Sequence, residues 1–187
     1  MSERVSIREA VVSVEEQLGT ITTLVNNAGM PDAQWAVKQS DELIDTVMGT
    51  NLTGPYILSC EVARKLMQEK LPGRMVNIAS MAAFNTTSQS AAPLYSITKK
   101  ALVRMTEALA VEWAGRNINV NAIAPGFFSS EMTDGMLERI GDITPTLNRK
   151  RIPTAEQMDS TLLFLLSPSS ECVTGTCIKI DDGQMSR

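Results

Sequence analysis

The sequence predicts an α/β protein built on a parallel sheet of about four strands with flanking helices. Two observations predict it. Short β-branched or apolar runs alternate with longer amphipathic runs along the chain, the pattern of βαβ units with right-handed crossovers. Each short run also stops at a polar or glycine-containing turn, and the carboxyl ends of parallel strands are where such sheets bind ligands. The 187 residues are enough for one domain with a real core. No repeat, low-complexity tract or linker divides them, so residues 1–187 are read as a single domain.

The elements follow in order. Residues 6–18 carry Ser6 and Glu9 at capping-box spacing, Ile7, Val11, Val14 and Leu18 on one face, and Gly19 at the helix end. Residues 21–25 form a β-branched run that Asn26-Asn27-Ala28-Gly29 ends. A helical stretch covers about 41–68. A second strand at 74–79 stops at Ser80. Residues 94–113 are helical, with Leu102, Met105, Leu109 and Trp113 on one face. The third strand, 117–123, runs into Ala124-Pro125-Gly126. Residues 127–154 are the longest irregular connection, the place for a substrate loop. A helix at 155–166 and a strand at 176–181 complete the chain.

Composition excludes several kinds of chemistry. There is no histidine, which removes imidazole catalysis and His-ligated zinc. The formal charge of −4 argues against a nucleic-acid binder. No apolar run approaches the roughly 18 residues of a membrane span, and the amino terminus lacks a secretory pattern. Three sparse cysteines predict a reducing, cytoplasmic setting and no disulfide framework. Cys172 and Cys177 have no further ligand types nearby, so buried packing is expected and no metal site.

Tyr95 and Lys99 lie four residues apart on a predicted helix and so share a face. An unperturbed phenol, with a pKa near 10, is too weak a base at neutral pH, and a nearby ammonium lowers that value. The pair is therefore a workable acid–base couple without histidine. Pro55 follows Asn51 by four residues. A proline there removes the hydrogen bond to the Asn51 carbonyl, predicting a kink over 49–55 that leaves this oxygen for water or a lysine. Phe127, Phe128, Met132, Met136 and Ile140 suit either an apolar lid or a short packed helix. Arg149-Lys150-Arg151 suits either a solvated face or a site for an anion or an acidic carrier protein.

Taken together, Asn26-Asn27-Ala28-Gly29, Asn51, Ser80, Tyr95-x-x-x-Lys99 and Pro125-Gly126 resemble, in order and context, the short-chain dehydrogenase/reductase family. Val173-Thr174-Gly175 and Asp181-Asp182-Gly183 are similar to its final strand region. The resemblance implies a Rossmann-like, doubly wound sheet and hydride transfer between NAD or NADP and a carbonyl/secondary alcohol pair. It implies that Tyr95 moves the proton, Lys99 tunes Tyr95 and holds the nicotinamide ribose, and Ser80 binds the substrate oxygen. Asn51 would hold a relay water through its backbone. Asn26, Ala28 and Gly29 would support the adenosine side and the sheet. Pro125 and Gly126 would line the nicotinamide, with Ser130 placed for its carboxamide. It further implies a small-molecule substrate and a homodimer or homotetramer formed through helices 41–68 and 94–113.

Against the family pattern, no Gly-rich turn precedes Asn26. The chain reads as the carboxyl-terminal part of that fold, with a section of roughly 60–80 residues, about 30 per βαβ unit, not represented. The expectation is that residues 21–25 form a sheet edge and that this chain alone binds NAD or NADP weakly. The alternative expectation is an inactive relative that acts by dimerising or by associating with other chains.

Overall fold

The computed structural model describes residues 4–86 and 92–184. Helix α1 (Arg4–Leu18) leads into strand β1 (Thr23–Asn26). Helices α2 (Asp41–Met48) and α3 (Gly54–Glu69) follow, then β2 (Gly73–Ile78) and the long α4 (Pro93–Trp113). Next come β3 (Ile118–Pro125), α5 (Glu131–Ile140), α6 (Asp159–Leu166) and β4 (Cys177–Ile180). The strands form one parallel sheet in the order β1-β2-β3-β4. Among the described residues β1 is an edge strand, as expected.

Alternation within the strands sorts side chains to two faces. Leu24, Met75, Ile118 and Val120 meet Val62 and Leu66 of α3 and Leu102, Met105, Leu109 and Trp113 of α4. Burial of side chains of this size is worth about 1.5–3 kcal/mol each, so the α4 stripe legible in the sequence holds the largest core. On the opposite face Val76, Ile123, Ile178 and Ile180 pack with Leu165 of α6. Among the described residues no helix is long and apolar enough to cross a membrane.

The structure corrects several expectations. The stretch 41–68 is two helices joined by a π-helical turn, Gly49–Thr53. The connection 127–154 contains α5, because Ser130 caps it by accepting the Thr133 amide. On α1, Ile7 and Val11 are buried, but Val14 and Leu18 are 40% and 83% exposed; the last turns find no cover among the described residues. Cys172 is exposed rather than buried, while Cys177 is half-buried. Burial pushes the Cys177 thiol up to about 11, which makes it inert. Arg149 and Arg151 both pair with Asp182, whose carboxyl falls to about 2 chiefly through the Arg151 hydrogen bond.

Candidate active site

The carboxyl ends of β1, β2 and β3 and the first turns of α4 converge on one side of the sheet. Ser80 follows β2 in extended backbone and caps a short helical turn, its hydroxyl accepting the Ala82 amide. The Tyr95 phenol lies near enough to the Ser80 hydroxyl for that group to favour its ionised form. One turn further along α4, Lys99 is buried, and its ammonium donates to the Ile78 carbonyl at 2.7 Å. The Lys99 nitrogen stands 5.6 Å from the centre of the Tyr95 ring. Ser80, Tyr95 and Lys99 thus form one cluster.

Its electrostatics differ from the expectation. Burial raises the Tyr95 phenol above its ordinary 10, and the Ser80 hydroxyl offsets only part of that rise. Lys99 does not depress it, because burial acts on the lysine as well and lowers its ammonium to about 8. The resulting phenol holds its proton at neutral pH.

Asn51 sits fully buried in the π turn. Its side chain accepts the Met30 amide at 2.8 Å and donates to the Met30 carbonyl at 2.9 Å and to Thr98 at 3.1 Å. The Thr98 hydroxyl donates to the Tyr95 carbonyl at 2.8 Å. Asn51 therefore ties the turn after β1 to α4, a role its backbone-centred reading did not include. The predicted kink takes the form of the π turn. Pro55 brings no N–H to the Asn51 carbonyl, and such turns absorb a broken i to i−4 ladder. Because Pro55 lies in the first turn of α3, where proline is well tolerated, Pro55→Ala should change stability by less than about 1 kcal/mol. It should nevertheless slow turnover, because a new N–H can claim the Asn51 carbonyl and close the turn. Thermal melting and steady-state rates of the variant check both expectations.

Gly29 explains itself by contact. A Cβ there would lie 3.1 Å from the Lys99 nitrogen and 3.8 Å from the Asn51 side-chain oxygen. Asn26 is built into the sheet. It faces Asn77 in register across β1 and β2, and its side chain donates to Asn77 at 2.8 Å and to Ser59 at 3.0 Å. Asn77 in turn donates to Thr106 of α4 at 2.9 Å. The Asn26 side chain is thus consumed by a buried network under the site, leaving its main chain and that of Ala28 for any ligand. Asn77 was missed, although a polar residue between Val76 and Ile78 in a buried strand is a visible anomaly.

Pro125 ends β3, and Gly126 packs so closely that a Cβ would fall 2.3 Å from the Gln184 side-chain oxygen and 3.0 Å from the Asp181 backbone. Gln184 also takes both the amide and the carbonyl of Phe127, at 2.6 and 2.9 Å. Ser130, expected at a carboxamide, spends its hydroxyl on the cap of α5 and a bond to Thr133. A cavity of about 480 Å³ near the end of β4, lined in part by Phe128, Arg149, Arg151 and Lys179, includes none of Ser80, Tyr95 and Lys99. Among the described residues no acidic or cysteine cluster could hold a metal ion.

This parallel α/β sheet, with Ser80, Tyr95 and Lys99 gathered at the carboxyl ends of its strands, is similar to several known oxidoreductases. The sequence model described as enoyl-(acyl carrier protein) reductase matches residues 1–185. The 2-dehydro-3-deoxy-D-gluconate 5-dehydrogenase of Dickeya dadantii is 33% identical over 174 residues, which cover 91% of this chain and 68% of that protein. A 3-oxoacyl-[acyl-carrier-protein] reductase of Thermotoga maritima is 33% identical over 185 residues, covering 98% and 74%. The crystal structure of a short-chain type dehydrogenase/reductase from Mycobacterium marinum superposes with a TM-score of 0.93 at 27% identity, covering 100% of this chain and 73% of that one. An actinorhodin polyketide ketoreductase with NADPH gives a TM-score of 0.91 at 28% identity, covering 98% and 74%. The chain belongs to the short-chain dehydrogenase/reductase family.

The residues present fit a nicotinamide cofactor at its reactive end. An ammonium has three donors, and the Ile78 carbonyl takes one of those on Lys99, leaving donors suited to ribose hydroxyls. Gly29 leaves room beside it.

Proposed function

We propose that this chain reduces a carbonyl, or oxidises the matching secondary alcohol, of a small molecule with NAD or NADP as cofactor. The gathering of Ser80, Tyr95 and the buried Lys99 at the carboxyl end of β2 carries this reading. In the direction of reduction, Ser80 and Tyr95 hydrogen-bond the substrate oxygen. When the substrate is reduced, the Tyr95 phenol would pass its proton to that oxygen, giving the alcohol. Lys99 holds ribose hydroxyls, orienting the reacting face and stabilising the phenolate that remains. The bound dinucleotide supplies the hydride chemistry, and these side chains supply orientation and proton management. The relatives' names support a carbonyl/alcohol pair, and solved neighbours with NADH and with NADPH support the cofactor class.

The test is oxidation of NADH or NADPH by the purified protein with a panel of keto sugar acids and β-ketoacyl thioesters. Turnover that disappears in Tyr95→Phe supports the reading. Turnover that survives this substitution overturns it.

The proposed partner for α3 and α4 is a second copy of the chain. Tyr56, Ile97 and Val111 expose 50%, 61% and 82% of their surface on these helices, apolar side chains that a second copy would cover. Val111→Glu should move the protein from dimer to monomer in light scattering. An unchanged mass would remove α4 from the interface.

A further inference from the structure

The connection between β1 and α2 turns inward at one carboxylate. Residues 33–38 are exposed, yet Asp32 is only 3% exposed. Its Oδ2 accepts the Leu94 amide at 2.9 Å and the Gln39 side-chain amide at 2.6 Å. Its Oδ1 is sealed from solvent without a hydrogen-bond partner. Burying a carboxylate oxygen unpaired is costly, so the position calls for a reason beyond the loop.

Leu94 immediately precedes Tyr95. Helix α4 starts at Pro93, and Ala92 at its cap offers no side-chain acceptor. The exposed donors of the first turn therefore lack a local cap, and Asp32 supplies one from another segment. An anionic acceptor is favoured at that end by the helix dipole. Two residues earlier in the same loop, Met30 is gripped at both its amide and its carbonyl by Asn51, which also bonds Thr98 of α4. The turn 30–32 thus holds α4 directly at Leu94 and, through Asn51, at Thr98, and Tyr95 lies between these points.

We propose that Asp32 is a positioning residue for Tyr95: by accepting the Leu94 amide it fixes the first turn of α4, so that the phenol stands against the Ser80 hydroxyl. The proposal rests on Tyr95 as the proton-transfer group of the site.

The chain has two tyrosines, Tyr56 and Tyr95. Tyr56→Phe leaves Tyr95 as the sole phenol, and its ionisation can be followed by ultraviolet absorbance with no substrate or cofactor. The titratable group set against its ring is Lys99, which every variant retains and which, at about 8, gives up its proton before Tyr95 ionises. In the Tyr56→Phe protein, Ser80→Ala should raise the Tyr95 midpoint, because the Ser80 hydroxyl lowers it. With Asp32→Ala also present, most of that shift should vanish, since the contact is already lost. Asp32→Asn keeps an acceptor for Leu94 and should restore the shift.

An equal Ser80 effect with and without Asp32, no Ser80 effect in either protein, or failure of Asp32→Asn to restore it overturns the proposal. A measurement on the unsubstituted chain covers the case in which Asp32→Ala does not fold. The Leu94 amide should resist hydrogen exchange like an interior helical amide, and exchange at the rate of an uncapped first-turn amide overturns the proposal. No turnover enters either measurement. An inactive protein with intact Ser80 dependence would therefore count against the oxidoreductase reading alone.

Discussion

Tyr95→Phe is expected to lower turnover by about 10²–10⁴-fold, the usual contribution of a positioned acid or base, while leaving the fold in place. The phenol is the group that meets Ser80, and burial keeps it protonated at neutral pH. Phenylalanine preserves the ring beside Lys99 and removes only the oxygen. The structural loss is the polar contact of one phenol oxygen, no more than about 1 kcal/mol. A steady-state rate measured beside a melting curve separates the two effects. A variant that turns over at the parental rate would show that the proton comes from elsewhere.

Lys99→Met is expected to remove the grip on a sugar hydroxyl and to change how stability depends on pH. The Lys99 ammonium falls from its ordinary 10.5 to about 8 because it is buried. Below pH 8 the lysine is protonated in both states, and the folded state bears the whole cost of burying that charge. Between about 8 and 10.5 the folded protein has released the proton while the unfolded chain still holds it, so stability rises with pH. Above 10.5 the penalty is gone. At about 1.4 kcal/mol per pKa unit the whole rise is on the order of 3 kcal/mol. Methionine fills similar volume without a charge, so this rise should be absent from the variant. Below pH 8 the variant avoids the charge-burial cost but leaves the Ile78 carbonyl unpaired, a loss of about 1–3 kcal/mol. Cys177, raised to about 11 by burial, acts in the opposite sense between about pH 9 and 11. It is common to both proteins and cancels in their difference. Denaturant unfolding of both proteins from pH 7 to 10.5 checks the result; parallel curves would show that Lys99 is not the titrating group.

The two predictions draw on different parts of what could be read in advance. Tyr95 and Lys99 were legible because a spacing of four residues puts both on one helical face wherever the helix is. The α4 core stripe was legible for the same reason, and the irregular turn at 49–55 because Pro55 lacks an N–H. The α2–α3 boundary was not, since a π turn keeps helical chemistry on both sides and leaves no composition break. Ser130 was read toward a cofactor carboxamide, yet it spends its hydroxyl on the amino end of α5. A serine before a helix carries that ambiguity in any sequence.

From periodicity and spacing the sequence determined the four strands in order, the turns that end them, and the pairing of Tyr95 with Lys99 on one helical face. Each of these depends on side-chain period or on backbone groups a few residues apart. Only the tertiary structure decided the direction of the Tyr95 and Lys99 ionisations, because burial outweighs the attraction between them. It alone brought Asn51 to Met30, Asn26 to Asn77 and Asp32 to Leu94. Desolvation and these hydrogen bonds arise when segments distant in the chain pack together, and no local pattern encodes which distant partner a buried polar group will find.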